Sequence, residues 1–236
     1  MFKYQFVFAC MCWVGVLASR DDIYDRLLAR LTGRSDRRQQ SPKEERGMHL
    51  VGKPLSVNYR TNSNYKRSLG TPLDFSIDEI LSLHNTARHE VSPPADPPIP
   101  DLIWDNELAN KAEEWAKGCV WGHNPNRMTS LGNSNVGENI ALNSGVLPGF
   151  KKWADEITDW TYDNYHDGCK TGETCGHYTQ IIWEETTKIG CAYVKCDDYV
   201  NLPDVYNQYN LKYLVCNYYP PGNMRFNNVY QKPYED

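Results

Sequence analysis

The sequence predicts a disulfide-stapled α+β domain in which helices cover both faces of a central antiparallel sheet. Three observations carry this reading: helical apolar periodicity fills the first part of the domain, runs of β-branched and aromatic residues fill the second, and short polar stretches separate those runs. The 236 residues are 40% hydrophobic, enough for one packed core with flanking segments. Seven Trp, 16 Tyr and 6 Phe exclude a disordered or collagen-like chain. No apolar run of 18 residues follows the first 20, which excludes a multi-pass membrane protein.

At the N-terminus Lys3 precedes an apolar stretch from Phe6 to Leu17, and Val16-Leu17-Ala18 suits signal peptidase. Residues 1–18 are therefore read as a secretion signal cut after Ala18. About a dozen apolar residues fall short of the roughly 20 that a spanning helix needs, so no transmembrane segment is expected. Secretion sets the redox compartment. With Cys10 and Cys12 removed, six cysteines remain, all after residue 118, and an even six reads as three disulfides.

Charge divides the rest of the chain. Residues 19–74 hold 12 Lys+Arg against 7 Asp+Glu, whereas residues 75–236 hold 12 against 23. A basic, flexible arm, a candidate propeptide, thus precedes an acidic domain, and the acidic domain lacks the clustered cations that nucleic acid requires. Within the arm, Ile23, Leu27, Leu28 and Leu31 share a helical face flanked by Arg26, Arg30 and Arg34. Arg37-Arg38 and Lys66-Arg67 are dibasic pairs, and the second offers a processing point just before the domain.

The first helix is expected over 76–91. Ser76-Ile77-Asp78-Glu79 forms a capping box, Ile77, Ile80, Leu81, His84, Ala87 and Val91 follow at helical spacing, and Pro93-Pro94 ends the run. Asp105-Asn106-Glu107 opens a second helix with Leu108, Ala112, Trp115, Ala116 and Cys119 on one face. A third segment, Phe150 to Tyr162, would bury Phe150, Trp153, Ile157 and Trp160. Strands are expected over His177–Trp183, Gly190–Cys196 and Tyr213–Tyr219.

No HExxH, G-x-S-x-G, P-loop, G-x-G-x-x-G or N-x-S/T sequon is present, so the common zinc-protease, hydrolase and nucleotide readings have no anchor. Four residues stand out as candidates for a site: His123 just after Cys119, Glu138 in Gly137-Glu138-Asn139, Glu156 in the third helix, and His177 opening a strand. A single histidine beside a helix is most often a surface or capping residue, so none of the four defines a site alone. Glu156 is the most informative, because it projects from beside the stripe of Trp153 and Trp160, where a carboxylate needs a partner.

Cysteine spacing constrains the staples. Cys191 and Cys196 are five apart on one strand, leave opposite faces and cannot pair with each other. Cys169 and Cys175 flank a short polar turn that can close locally, which leaves Cys119 and Cys216 for the two strand cysteines in either assignment.

Several ordered motifs then resemble one family. Gly176-His177-Tyr178-Thr179-Gln180-Ile181-Ile182-Trp183, Gly190-Cys191-Ala192 and the run from Tyr213 to Asn223 are similar to the two signatures of the CAP superfamily: cysteine-rich secretory proteins, antigen 5 and plant pathogenesis-related proteins. Leu83 to Arg88, Trp104-Asp105, Ala112 to Cys119 and Gly137 to Ile140 match in the same order, so the resemblance spans residue 75 to about 224. It implies an α-β-α sandwich and the bridges Cys119–Cys196, Cys191–Cys216 and Cys169–Cys175. It also implies a central cleft in which His123 and His177 hold zinc or another divalent cation weakly, with Glu138 and Glu156 nearby.

Family members take up sterols or fatty acids, and the candidate groove wall here is Trp160, Tyr162 and Tyr165. The resemblance therefore implies a secreted, non-enzymatic protein that binds lipid or sterol and acts in defence, host interaction or extracellular signalling. Two alternatives stand beside it: a metal-dependent hydrolase using the same cleft, and an interaction module for an extracellular protein receptor. No catalytic residue is assigned. No cysteine follows Cys216, so the added cysteine-rich module of the reptile and mammalian members, and their channel activities, are not expected. The tyrosine-rich insert from Asp197 to Asn210 is longer than in the plant members.

Overall fold

The computed structural model describes residues 69–127, 135–162, 168–204, 206, 209–226 and 229–236. The signal, the amphipathic stretch and both dibasic pairs lie outside the described residues. In chain order the elements are β1 (Thr71–Pro72), α1 (Ile77–His89), β2 (Ile103–Trp104), α2 (Asn106–Lys117), β3 (Gly137–Asn143), α3 (Val146–Ala154), a 3₁₀ turn (Asp155–Thr158), α4 (Gly176–Ile181), β4 (Lys188–Lys195), β5 (Lys212–Tyr219) and a small hairpin, β6 (Arg225–Phe226) with β7 (Val229–Tyr230).

Strands β4 and β5 form the spine: every residue from Ile189 to Val194 and from Tyr213 to Tyr218 is buried, and all but Asn217 are apolar, aromatic or glycine. They pair antiparallel with Cys191 opposite Cys216, and β3 pairs antiparallel along the other side of β5. The far edge of β4 carries β1, antiparallel, and β2, the parallel exception to the expected sheet. One face meets α2, where Ala112 and Ala116 pack on Val194, Tyr213 and Val215. The helices α1, α3 and α4 cover the opposite face, giving the α-β-α sandwich. Gly190 is needed in β4 because a Cβ there would run into the backbone of Asp105 and Ala109 at the start of α2.

Helix starts follow local capping chemistry. The Glu79 N–H donates to Ser76 Oγ (3.1 Å), and Asp105 Oδ1 accepts from the N–H groups of Glu107 (2.9 Å) and Leu108 (3.1 Å). The buried face of α1 differs from the expected one. Ile80, Leu83, His84 and Arg88 are buried, while Ile77 is 40% exposed. Arg88 can be inside because its guanidinium donates to the carbonyls of Pro100, Ile181, Trp183, Glu184 and Thr186, which satisfies the charge with backbone dipoles. Burial pushes its pKa down to about 10.

Three further differences concern elements. The expected strand at 177–183 is the helix α4, buried all along Tyr178 to Ile181; an acceptor for its first N–H groups overrides the β-propensity of the sequence. The strand β3 was not expected, since Gly137-Glu138-Asn139 lacks β-branched residues. The third helix begins at Val146 and ends at Ala154, with Glu156 in the 3₁₀ turn that follows. Phe150, Trp153 and Trp160 are buried as expected. Upstream of the boundary read at 75, β1 joins the sheet and Gly70 N–H donates to Lys117 O, so the fold takes in residues 69–74.

The disulfides are Cys119–Cys196, Cys169–Cys175 and Cys191–Cys216, the pairing that the family resemblance implies. Cys119–Cys196 joins the end of α2 to the end of β4 across a sequence separation of 77. In the chain-entropy picture such a closure stabilises by about 4 kcal/mol.

Candidate functional site: two histidine–carboxylate pairs

His123 sits in the loop after α2. That loop is pinned at Gly122, whose carbonyl accepts from Trp115 Nε1 (2.9 Å) and the Tyr213 hydroxyl (2.8 Å). His123 Nδ1 then lies 2.9 Å from Glu138 Oε1 on β3, and the Asn124 N–H donates to the same oxygen at 2.9 Å. A carboxylate only accepts, so Nδ1 carries the proton. The Glu138 side chain is 0% exposed and its Oε2 has no hydrogen-bond partner among the described residues. Arg127 stands 3.9 Å from Oε1.

His177 lies in the first turn of α4. Its Nδ1 is 2.5 Å from Glu156 Oε1, and Glu156 Oε2 accepts from the N–H groups of His177 (2.9 Å) and Tyr178 (3.1 Å). One carboxylate thereby caps the helix and orients the imidazole. The ring also stacks on Trp153, with centroids 6.2 Å apart and planes 15° from parallel.

Asn139, next to Glu138 on β3, links the second pair to the core. Its Nδ2 donates to His177 O (3.0 Å) and to the Tyr218 hydroxyl oxygen (3.2 Å). Tyr218 in turn meets His84 Nε2 at 2.8 Å, and His84 Nδ1 is 2.7 Å from Ile80 O. Because Ile80 O can only accept, Nδ1–H donates to it and Nε2 accepts from Tyr218. Burial pushes the His84 pKa down to about 4, against the raising effect of the Ile80 carbonyl, and burial raises that of Tyr218. A neutral imidazole is what this chain of hydrogen bonds needs.

All four candidate residues therefore belong to carboxylate–imidazole pairs, His123 with Glu138 and His177 with Glu156. Among the described residues no group of three or more His, Cys, Asp and Glu side chains is arranged to hold a metal ion. Each imidazole keeps Nε2 without a hydrogen-bond partner among the described residues. Reasoning from sequence missed Asn139, Tyr218 and Arg127; only the unusual polarity of Glu138-Asn139 within a strand could have pointed to the first.

The aromatic candidates are placed differently. Trp160 and Tyr162 are buried and pack against each other and Tyr234, with Tyr178 against Trp160. The Tyr162 hydroxyl donates to Asp236 Oδ1 (2.7 Å), and Lys232 Nζ lies 4.1 Å from the ring centroid. Their rings act as packing and leave little surface for a groove wall, and Tyr165 lies outside the described residues.

A disulfide-stapled α-β-α sandwich with two imidazole–carboxylate pairs defines the class of protein. The family described as CAP, cysteine-rich secretory protein family, matches residues 81–218, and the chain belongs to it. It is 39% identical over 180 residues to human cysteine-rich secretory protein LCCL domain-containing 2, a match covering 72% of this chain and 35% of that protein. It is 35% identical over 155 residues to human peptidase inhibitor 15, covering 61% of this chain and 57% of the relative. The chain thus spans less than two thirds of the length of these curated relatives. Among solved structures, venom allergen-like protein 4 of Schistosoma mansoni superposes with a TM-score of 0.53 at 26% identity, covering 68% of this chain and 96% of that one. No helix among the described residues is long and apolar enough to cross a membrane.

Proposed function

We propose that this is a secreted, extracellular CAP protein that works by binding: a divalent cation, zinc foremost, at His123 and His177, and a lipid or sterol elsewhere on the domain. The observation that carries the metal reading is the shared arrangement of the two histidines, each with Nδ1 held by a carboxylate and Nε2 left over. Metal-ligating histidines use this arrangement, because the outer carboxylate fixes the tautomer and raises the basicity of the ligating nitrogen. The buried Glu138 Oε2, without a partner among the described residues, is a further oxygen donor of the right chemistry. Two imidazoles with water completing the shell bind zinc weakly and reversibly. A bound zinc ion would supply Lewis acidity; the protein's part is to hold the two imidazoles, each with Nδ1 turned to a carboxylate.

Glu156 supports binding over hydrolysis. Its two oxygens already accept three hydrogen bonds, so it positions His177 and is a poor general base. The lipid reading rests on family membership and does not use the buried rings of Trp160 and Tyr162. A second reading, an interaction module for an extracellular protein, is favoured by the likeness to peptidase inhibitor 15 and by the exposed Tyr206 and Tyr209 of the 197–210 insert.

Zinc titration with thermal melting tests the metal reading. At ten times Kd the wild type should gain about 1.4 kcal/mol, and His177→Ala and His123→Ala should gain almost nothing. Equal gains in all three proteins would remove both histidines from the site. Native mass spectrometry of the secreted protein reports processing, metal and copurified lipid together, and protein free of lipid that also fails to take up added sterol or fatty acid would leave the interaction reading in front.

A further inference from the structure

The loop that carries His123 also carries a cation. In the stretch Asn124-Pro125-Asn126-Arg127 the Asn126 N–H donates to Asn124 Oδ1 (2.9 Å) and Arg127 Nη1 donates to Asn124 O (3.0 Å), so the loop closes on itself. The Arg127 carbonyl accepts from the Val136 N–H (3.0 Å), one residue before β3. Backbone and side chain together hold the guanidinium beside β3, where Nη1 lies 3.9 Å from Glu138 Oε1. The Arg127 side chain is 35% exposed, while the carboxylate it faces is 0% exposed.

A carboxylate shut away from water needs a counter-charge. Glu138 Oε1 accepts from His123 Nδ1–H and from the Asn124 N–H, and neither donor is a permanent charge. A guanidinium stays protonated across the physiological range. Arg127 is the one lysine or arginine ion-paired with Glu138 among the described residues. The same charge acts in the opposite sense on a ligand: a divalent cation on His123 Nε2 would be attracted by Glu138 and repelled by Arg127. Guanidinium and metal therefore draw on one carboxylate.

We propose that Arg127 sets the metal affinity at His123: its guanidinium balances Glu138 when no cation is bound, and it weakens the hold on any divalent cation that is. The inference rests on the metal reading above, and it gives weak, reversible binding a source in this chain beyond the small number of nitrogen ligands. Arg127 acts through charge and not as a ligand, since a guanidinium offers donors only. A neutral side chain at this position should thus strengthen binding, which is the reverse of what damage to the site does.

Isothermal titration of the full chain with zinc at about 20 mM salt, where exposed charges are little screened, reads the effect. Arg127→Gln should bind zinc about fourfold more tightly than the wild type, the Coulomb scale for a unit charge and a divalent ion roughly 10 Å apart in water. Arg127→Lys keeps the charge and should bind as the wild type does. At about 0.5 M salt, where the Debye length shrinks to about 4 Å, the gap between Arg127→Gln and the wild type should close. Arg127→Met repeats the neutral substitution at similar length if the Gln variant does not fold. Zinc binding that is absent from the wild type, or unchanged in His123→Ala, overturns the metal reading and this proposal with it. Binding that needs His123 but is equal or weaker in the neutral variants, that tightens equally in Arg127→Lys, or whose gain persists undiminished at high salt overturns this proposal alone.

Discussion

The two histidine–carboxylate pairs contain the same groups and differ in how they are held. At His177 the carboxylate of Glu156 receives three hydrogen bonds, the imidazole stacks on Trp153, and Asn139 ties the backbone to Tyr218 and His84 in the core. At His123 the imidazole is 51% exposed, its partner Glu138 is fully buried, and one oxygen of that carboxylate is left without a partner among the described residues. The difference separates two uses of a buried carboxylate. A fully satisfied one fixes structure, whereas one with a spare oxygen retains capacity for a ligand.

The largest expected effect breaks the first pair. Glu156→Ala removes the acceptor for two N–H groups at the start of α4 and for the His177 ring, and should destabilise the domain by about 4 kcal/mol. Denaturant unfolding at neutral pH measures this directly. A loss under about 1 kcal/mol would mean that water replaces the carboxylate and that the cap is not structural.

Acid should act through the core end of the same network. His84 is neutral in the fold with its pKa pushed down to about 4, against an ordinary value of 6.5. Between these values the unfolded chain binds the proton and the folded chain does not. The stability contributed by the neutral ring is therefore complete above pH 6.5 and is lost as pH falls towards 4, a change of about 3 kcal/mol for the shift of 6.5 to about 4. Unfolding free energies across that window should show the slope, and His84→Gln should flatten it. A slope that persists undiminished in His84→Gln would assign the titration to other groups.

What the sequence shows of the fold and of the two pairs depends on how local each signal is. Helix starts at Ser76 and Asp105 were legible because capping is local, and β4 and β5 because both faces of each strand are apolar. The exclusion of a Cys191–Cys196 bridge was legible from strand alternation, while the choice of partners came from family likeness. What stayed hidden depends on contacts distant in sequence. Residues 177–183 look like a strand until Glu156, 21 residues away, caps them as a helix. Arg88 looks like a surface residue until five carbonyls from other segments surround it. The candidates His123, Glu138, Glu156 and His177 could be named from sequence, but their division into two pairs of unequal satisfaction depends on the register of β3 and the path of the loop after α2, neither of which is encoded locally.

The smallest stability effect, and the sharpest contrast, belongs to Glu138→Gln. The amide keeps an oxygen where Oε1 accepts from Asn124 N–H and His123 Nδ1–H, and its NH₂ falls where Oε2 already lacks a partner among the described residues. The unpartnered NH₂ carries the cost of a buried donor but replaces an unpartnered charged oxygen, so the two offset and stability should change by less than about 1 kcal/mol. Zinc affinity should nevertheless fall by about tenfold, because His123 loses the anionic partner that makes its free nitrogen a good ligand. Glu156→Gln sharpens the comparison from the other side: its remaining oxygen cannot serve all three donors, so it should lose stability as well as affinity. Paired melting curves and zinc titrations of the two variants decide the matter. If Glu138→Gln melts as low as Glu156→Gln, the spare oxygen is structural after all, and the two carboxylates do the same job.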